Sequence, residues 1–116
     1  MKQWQEVIDT TDAVLKLNPV NFPGDWMLNA VGNFHLQHLD AAEKSALRGL
    51  EVDRQHQIPK LEYLLGIILA EKHDYNGGLE HIRNYLRLAP HAADAETAQK
   101  QAEQLEQLTA KTTADK

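Results

Sequence analysis

The chain has 116 residues, the length of one small domain with a modest hydrophobic core. It carries 17 Asp and Glu against 12 Lys and Arg, for a net charge of −5. An acidic chain without a basic stripe argues against nucleic-acid binding, because cationic side chains supply most of that affinity. No cysteine is present, which excludes disulfides and thiolate chemistry.

Hydropathy predicts no membrane insertion. The longest apolar run, residues 64–70, is far shorter than the roughly 20 residues that a membrane-spanning helix needs. No segment after Met1 resembles a signal peptide. We therefore expect a soluble protein, and the sequence leaves its compartment open.

Apolar residues recur at helical spacing in six segments, which predicts an all-α protein. Pro23 and Pro59 open two of these segments, in the first turn, where proline removes no helical hydrogen bond. The last segment has alanines and leucines on one face and polar residues elsewhere, as a terminal capping helix requires. The predicted helices cover residues 3–17, 23–37, 39–53, 59–72, 75–88 and 92–109.

The sequence repeats itself with a period of 36 residues and no gap. The aligned pairs are Phe22-Pro23 with Ile58-Pro59, Leu28 with Leu64, Leu39 with Tyr75, Leu50 with Leu86, and Val52 with Leu88. A period of this length is typical of stacked helical pairs.

A recognisable residue frame runs through both copies. The second copy reads Glu62-x-x-Leu65-Gly66-x-x-Leu69, then Gly78-x-x-x-Ile82, then Pro90. The first copy reads Trp26-x-x-Asn29-Ala30-x-x-Asn33, then Ala42-x-x-x-Ala46. Upstream, Val7-x-x-x-Thr11 and Pro19 fit the second half of a further repeat. This frame resembles the tetratricopeptide repeat, which reads Trp-x-x-Leu-Gly-x-x-Tyr, then Ala-x-x-x-Phe, then Pro.

The resemblance implies an α-solenoid, a right-handed stack of antiparallel helix pairs with about six helices including the C-terminal capping helix. The implied domain covers residues 1–110, followed by a frayed tail. Its parts are a half repeat at 3–21, full repeats at 22–57 and 58–91, a capping helix at 92–109 and the tail at 111–116. The long period places extra residues in the turns Asn18–Pro23 and Asp53–Pro59. Asn29 and Asn33 replace apolar residues of the frame, which predicts looser packing of that helix.

Small residues mark where the two helices of a pair are expected to cross. In the repeat register Gly66 faces Gly78, and Ala30 faces Ala42. A glycine inside a helix costs about 1 kcal/mol relative to alanine. Its presence at the crossing therefore indicates close approach of the two backbones.

A stripe on the first helix of each repeat is the candidate binding surface, because the resemblance implies that ligands lie against these helices. The residues are Met27, Val31, Phe34 and His35 in one repeat, and Lys60, Tyr63, Ile67, Ala70 and Glu71 in the next. The stripe is mostly apolar, which predicts a groove for an amphipathic helix or an extended apolar peptide. We therefore expect a non-enzymatic protein-interaction module with a protein or peptide partner.

Structural contact is an equally weighted explanation for this stripe. The chain starts within a repeat, so the helix that would pair with the Trp4 segment is not in the sequence. The stripe would then pack on neighbouring repeats, on the capping helix, or on a second copy. The alternative function is accordingly a structural segment of a longer repeat protein that self-associates, with weak dimers at high concentration.

Three other functions are disfavoured by the residues themselves. A clamp for acidic chaperone C-termini needs polar residues where Leu28 and Leu64 stand, and only Lys60 is suitably basic. His35 and His38 are three apart on one predicted helix, but the register places no third ligand for a metal beside them. No nucleophile–base pair and no glycine-rich phosphate loop is present. We therefore expect neither catalysis nor a metal or cofactor.

Overall fold

The computed structural model describes the backbone of residues 2–114 and the side chains of residues 3–111. Within these residues the chain is all-α and has no strand. Its six helices are α1 (Lys2–Leu17), α2 (Pro23–His35), α3 (Leu39–Val52), α4 (Lys60–Glu71), α5 (Tyr75–Leu88) and α6 (Ala95–Ala114). The chain divides into two compact units, Met1–Leu61 and Glu62–Lys116.

The first five helices begin and end within two residues of their predicted bounds, whereas α6 is shifted toward the C-terminus. It begins at Ala95 and ends at Ala114, where residues 92–109 were predicted. Residues 91–94 form turns instead of the first helical turn. Neither proline nor glycine follows position 109, so nothing in the sequence stops the helix there. Residues 115–116 of the predicted frayed tail lie outside the described residues.

The 36-residue period is repeated in the backbone where α2 and α4 end. Gln37 and His73, 36 positions apart, have positive φ angles of 63° and 67°. The backbone N–H of the residue after each of these donates to the carbonyl five residues earlier. His38 N lies 2.8 Å from Asn33 O, and Asp74 N lies 2.9 Å from Leu69 O. This arrangement satisfies the last carbonyls of a helix through a residue in the left-handed conformation. The two helices therefore end in the same way at equivalent positions.

The two longer turns of the N-terminal unit are held by side-chain acceptors. Asn18 Oδ1 accepts hydrogen bonds from the backbone of Val20 and Asn21. The buried Asp53 carboxylate accepts from Gln57 N at 2.9 Å and from Ile58 N at 2.8 Å. The extra residues predicted by the long period thus lie in turns whose amides are satisfied locally.

In the N-terminal unit, α2 packs on both α1 and α3. Ala30 and Ala42 are both fully buried, as close packing of α2 against α3 requires. Gly32 lies against α1, since a Cβ there would be 2.9 Å from Ile8 Cγ1. Small residues therefore allow the helices of this unit to approach closely, beside the larger buried side chains of Ile8 and Leu15.

In the C-terminal unit, α4 and α5 meet backbone to backbone. A Cβ on Gly66 would lie 2.9 Å from Gly78 O, and a Cβ on Gly78 would lie 2.9 Å from Gly66 O. The predicted pairing of these two glycines is therefore confirmed. On its other side, α5 packs against α6. The buried residues of this contact are Leu79, Ile82, Tyr85, Ala98, Ala102 and Leu105.

Candidate functional site

The part of the predicted binding surface on α2, here called the α2 stripe, consists of Met27, Val31, Phe34 and His35. Its first three residues are half-buried and His35 is exposed. The His35 ring stacks on Trp4 of α1, with centroids 4.1 Å apart and planes 4° apart. Phe34 approaches His35 edge-on at 6.0 Å. The C-terminal end of the α2 stripe is therefore an aromatic cluster that contacts α1 through Trp4.

The part on α4, the α4 stripe, consists of Lys60, Tyr63, Ile67, Ala70 and Glu71. Lys60 and Glu71, the first and last residues of the helix, are exposed. The three apolar residues between them are half-buried and pack against the core of the C-terminal unit. Contact with the unit's own core thus accounts for part of the apolar character of this stripe. Its role in binding stays a prediction.

Tyr63 illustrates this internal role. Its ring stacks on that of Tyr85, with centroids 4.8 Å apart, and its hydroxyl donates a hydrogen bond to Gln101 of α6. Tyr85 is itself almost fully buried and donates to the Asp94 carboxylate, just before α6. The two tyrosines therefore attach α6 to the rest of the C-terminal unit.

Burial raises the pKa of Tyr85 to about 12, and the hydrogen bond to Asp94, the Asp94 charge and Tyr63 act in the same direction. Tyrosine in an unfolded chain titrates near 10. Because the folded pKa is the higher one, the stability from this group is complete below about pH 10 and is lost as the pH rises through about 12. We expect the thermal unfolding midpoint to fall across this window, and to fall less in Tyr85→Phe. Melting curves at a series of alkaline pH values measure this, and parallel losses in both proteins would contradict it.

A buried polar network in the N-terminal unit was not expected from the sequence. Asn29 Nδ2 donates to Thr11 Oγ1 at 2.9 Å and to Asp12 Oδ1 at 2.7 Å, while Asn29 Oδ1 accepts from Ser45 Oγ at 2.6 Å and from Asn33 Nδ2 at 3.0 Å. Asn29 and Asn33 are 3% and 6% exposed. Because Asn29 and Asn33 replace apolar frame residues, looser packing was predicted here; in the structure both side chains are buried, and their hydrogen bonds join α1, α2 and α3.

A second buried contact joins α4 to α5. Glu62 is 8% exposed, and its Oε2 lies 2.6 Å from His81 Nδ1 and 3.3 Å from Asn84 Nδ2. The sequence analysis did not predict this contact. The available signal was a carboxylate, Glu62, at the position where the repeat frame has tryptophan.

The described residues contain neither a cluster of metal-ligating side chains nor a membrane-spanning helix. Across residues 3–111, no group of three or more His, Asp or Glu side chains converges as metal ligands would. His35 is engaged with Trp4 and Phe34. None of the helices within residues 2–114 combines the length and the hydropathy that a membrane crossing requires.

Comparison with known proteins identifies the fold. No family model matches the sequence, and no curated protein matches it. The solved structure of the Arabidopsis OM64 TPR domain is similar, with 22% sequence identity and a TM-score of 0.79. The match covers 91% of this chain and 83% of that chain. The chain therefore has the fold of a tetratricopeptide-repeat domain, as its repeated residue frame predicts.

Proposed function

We propose that this domain is a protein-interaction module and that the α2 stripe and the α4 stripe, each taken by itself, bind an apolar segment of a partner protein. The observation that carries the proposal is the division of α2 into two faces. Asn29, Ala30 and Asn33 are buried, whereas the α2 stripe keeps exposed surface. An apolar helix face that is left open is suited to the apolar side of a helix or an extended peptide.

The composition of the stripes indicates the chemistry of the partner. Met27 and Val31 offer aliphatic surface, and Phe34 with His35 offers aromatic surface. Because the α2 stripe has no carboxylate, lysine or arginine, salt should change the affinity little. We therefore propose a partner segment with an apolar stripe, whose affinity comes mainly from burying that stripe.

Alanine substitutions in the stripes test the proposal against a matched control. Peptides selected from a random library are titrated against Met27→Ala, Phe34→Ala and Ile67→Ala. Aromatic and large apolar residues at the centre of an interface commonly cost more than 1 kcal/mol when truncated, so we expect at least about fivefold weaker binding for Phe34→Ala. Leu47→Ala is the control, because Leu47 is 41% exposed on α3, outside the stripes.

Tyr63→Ala is a poor probe because it also removes the ring stack with Tyr85 and the hydrogen bond to Gln101. Selected peptides that are uniformly acidic would contradict the proposed apolar chemistry. Equal affinity for the control and all three stripe variants would contradict the proposed site.

Self-association is a second candidate function, favoured by exposed apolar residues at the end of α1 and in the turn that follows. Leu17, Val20 and Phe22 are 88%, 60% and 43% exposed. Exposed apolar patches promote association, so we expect weak dimers at high concentration that Leu17→Ser and Val20→Ser together remove. Analytical ultracentrifugation over a wide concentration range measures this. A strict monomer at every concentration would exclude it.

A further inference from the structure

A second open surface lies between α1 and α2, apart from the two stripes. It is a groove of about 460 Å³ within the N-terminal unit. The lining residues are Gln3, Glu6, Val7, Thr10, Thr11, Val14, Asp25 and Leu28. Those from α1 are spaced three or four positions apart, so they form a strip along about three turns of that helix. Leu28, on α2, is 46% exposed.

The repeat itself shows what such a surface accepts. At a shift of 35 residues, Val7, Thr10, Thr11 and Val14 align with Ala42, Ser45, Ala46 and Gly49 of α3. These four are the buried residues of α3. The face they form receives α2, since Ser45 donates a hydrogen bond to Asn29. In the C-terminal unit the same face of α5 receives α4 through Gly78 and Gly66. The corresponding face of α1 is open in part: Thr10 is exposed and Val7 and Val14 are half-buried, whereas Thr11 is buried against α2.

The α1–α2 groove differs in charge from the equivalent face of α3, which α2 covers. The position of Asp25 corresponds, 36 residues on, to Leu61. Leu61 is fully buried, and its side chain and Trp26 Cβ both lie within 3.2 Å of where a Cβ on Gly49 would stand. A helix bound in the α1–α2 groove would therefore lie beside the Asp25 carboxylate. At the equivalent position on α3, α2 lies beside the apolar side chain of Leu61.

Glu6 is the second carboxylate in the groove, and none of the described lysine or arginine side chains lines it. In the part of the chain that the structure describes, neither Glu6 nor Asp25 has a side-chain hydrogen bond or an ion pair. Asp9, bonded to Gln5, and Asp12, bonded to Asn29, add negative charge to the same helix. Together with Glu6 they outnumber Lys16, the one lysine of α1 whose side chain is described. The field at the groove therefore favours a cationic ligand.

We infer that the α1–α2 groove binds an amphipathic helix of a partner protein whose apolar stripe is flanked by lysine or arginine. The apolar stripe covers Val7, Val14 and Leu28, and the basic residues pair with Glu6 and Asp25. A second copy of this chain fits less well, because a two-fold contact through this groove brings Glu6 and Asp25 of both copies together. This surface is separate from the two stripes, so the inference stands independently of the proposed function.

Two synthetic amphipathic helices with the same apolar stripe test the inference, one flanked by lysines and the other by glutamates. Calorimetric titration should show the lysine peptide binding at least about tenfold more tightly, with an affinity that falls as salt is added. Glu6→Lys with Asp25→Lys should reverse the preference. Leu28→Ser should weaken binding of the lysine peptide, and Leu47→Ser, an exposed leucine of similar accessibility on α3, should not.

Several outcomes would overturn the inference. Equal binding of the two peptides, or a preference that survives the double charge reversal, would show that the carboxylates are not the recognition element. Loss of binding in Phe34→Ala but not in Leu28→Ser would locate the peptide on the α2 stripe and leave the proposed function standing. Dimers of the unmodified chain that Leu28→Ser dissociates would make the groove a self-association surface.

Discussion

Gly66→Leu should lower the free energy of unfolding by about 1–3 kcal/mol, the usual cost of overpacking a close helix contact. A Cβ at this position would lie 2.7 Å from Ile82 Cγ1, 2.9 Å from Gly78 O and 3.2 Å from Ile82 N. Two of these three atoms belong to the backbone, so a rotamer change alone cannot relieve the clash. Even Gly66→Ala should therefore destabilise, although alanine is the better helix former.

Gly24→Ala is the matched control for that substitution. Gly24 lies in the first turn of α2, its φ is not positive, and a Cβ there would meet no atom within 4 Å. Alanine should be neutral or stabilise by up to about 1 kcal/mol because it restricts the unfolded chain. Chemical denaturation of the unmodified chain, Gly66→Leu and Gly24→Ala measures both changes in the free energy of unfolding. Equal shifts for Gly66→Leu and Gly24→Ala would contradict the backbone contact between α4 and α5.

Asn29→Leu should also destabilise the domain, although the repeat frame has leucine at this position. The substitution leaves the buried Ser45 hydroxyl without the acceptor that lies 2.6 Å away, and removes a donor from Thr11. An unsatisfied buried polar group costs about 1–3 kcal/mol. The repeat frame alone predicts that leucine at position 29 raises the free energy of unfolding. The sign of the measured change therefore shows whether the frame or the hydrogen-bond network determines stability here.

The double variant Asn29→Leu with Ser45→Ala provides the control. Replacing both partners of a buried hydrogen bond by apolar groups can be nearly neutral. We therefore expect the double variant to recover much of the stability that Asn29→Leu loses. A single variant more stable than the unmodified chain would show that the network does not stabilise the N-terminal unit.

The helices and their register could be predicted because they depend on local chemistry. Pro23 sets the start of α2, and Gly66 with Gly78 marks a crossing that only small residues allow. The start of α6 could not be placed, because Ala92, Ala93 and Ala95 favour a helix equally and the hydrogen bond from the distant Tyr85 to Asp94 is visible only in the fold.

The hydrogen-bond partners of buried polar side chains could not be predicted from the sequence. Asn29 finds Thr11 and Ser45, which are 18 and 16 residues away, and Glu62 finds His81, which is 19 residues away. Such pairs depend on which helix faces meet, and a frame built on apolar positions treats polar residues there only as departures. For the α4 stripe the sequence left binding and internal packing as alternatives, because periodicity cannot separate an open face from one that contacts Tyr85 and α6.

Amide chemical-shift mapping of a library-selected peptide tests the central claim, that the open faces of the first helices bind a partner segment. The largest changes should fall on residues of the α2 stripe and on the exposed residues of the α4 stripe, with little change on the outer face of α3 around Leu47. Changes concentrated on α3 and the outer face of α5, or no binding by any selected peptide, would contradict it.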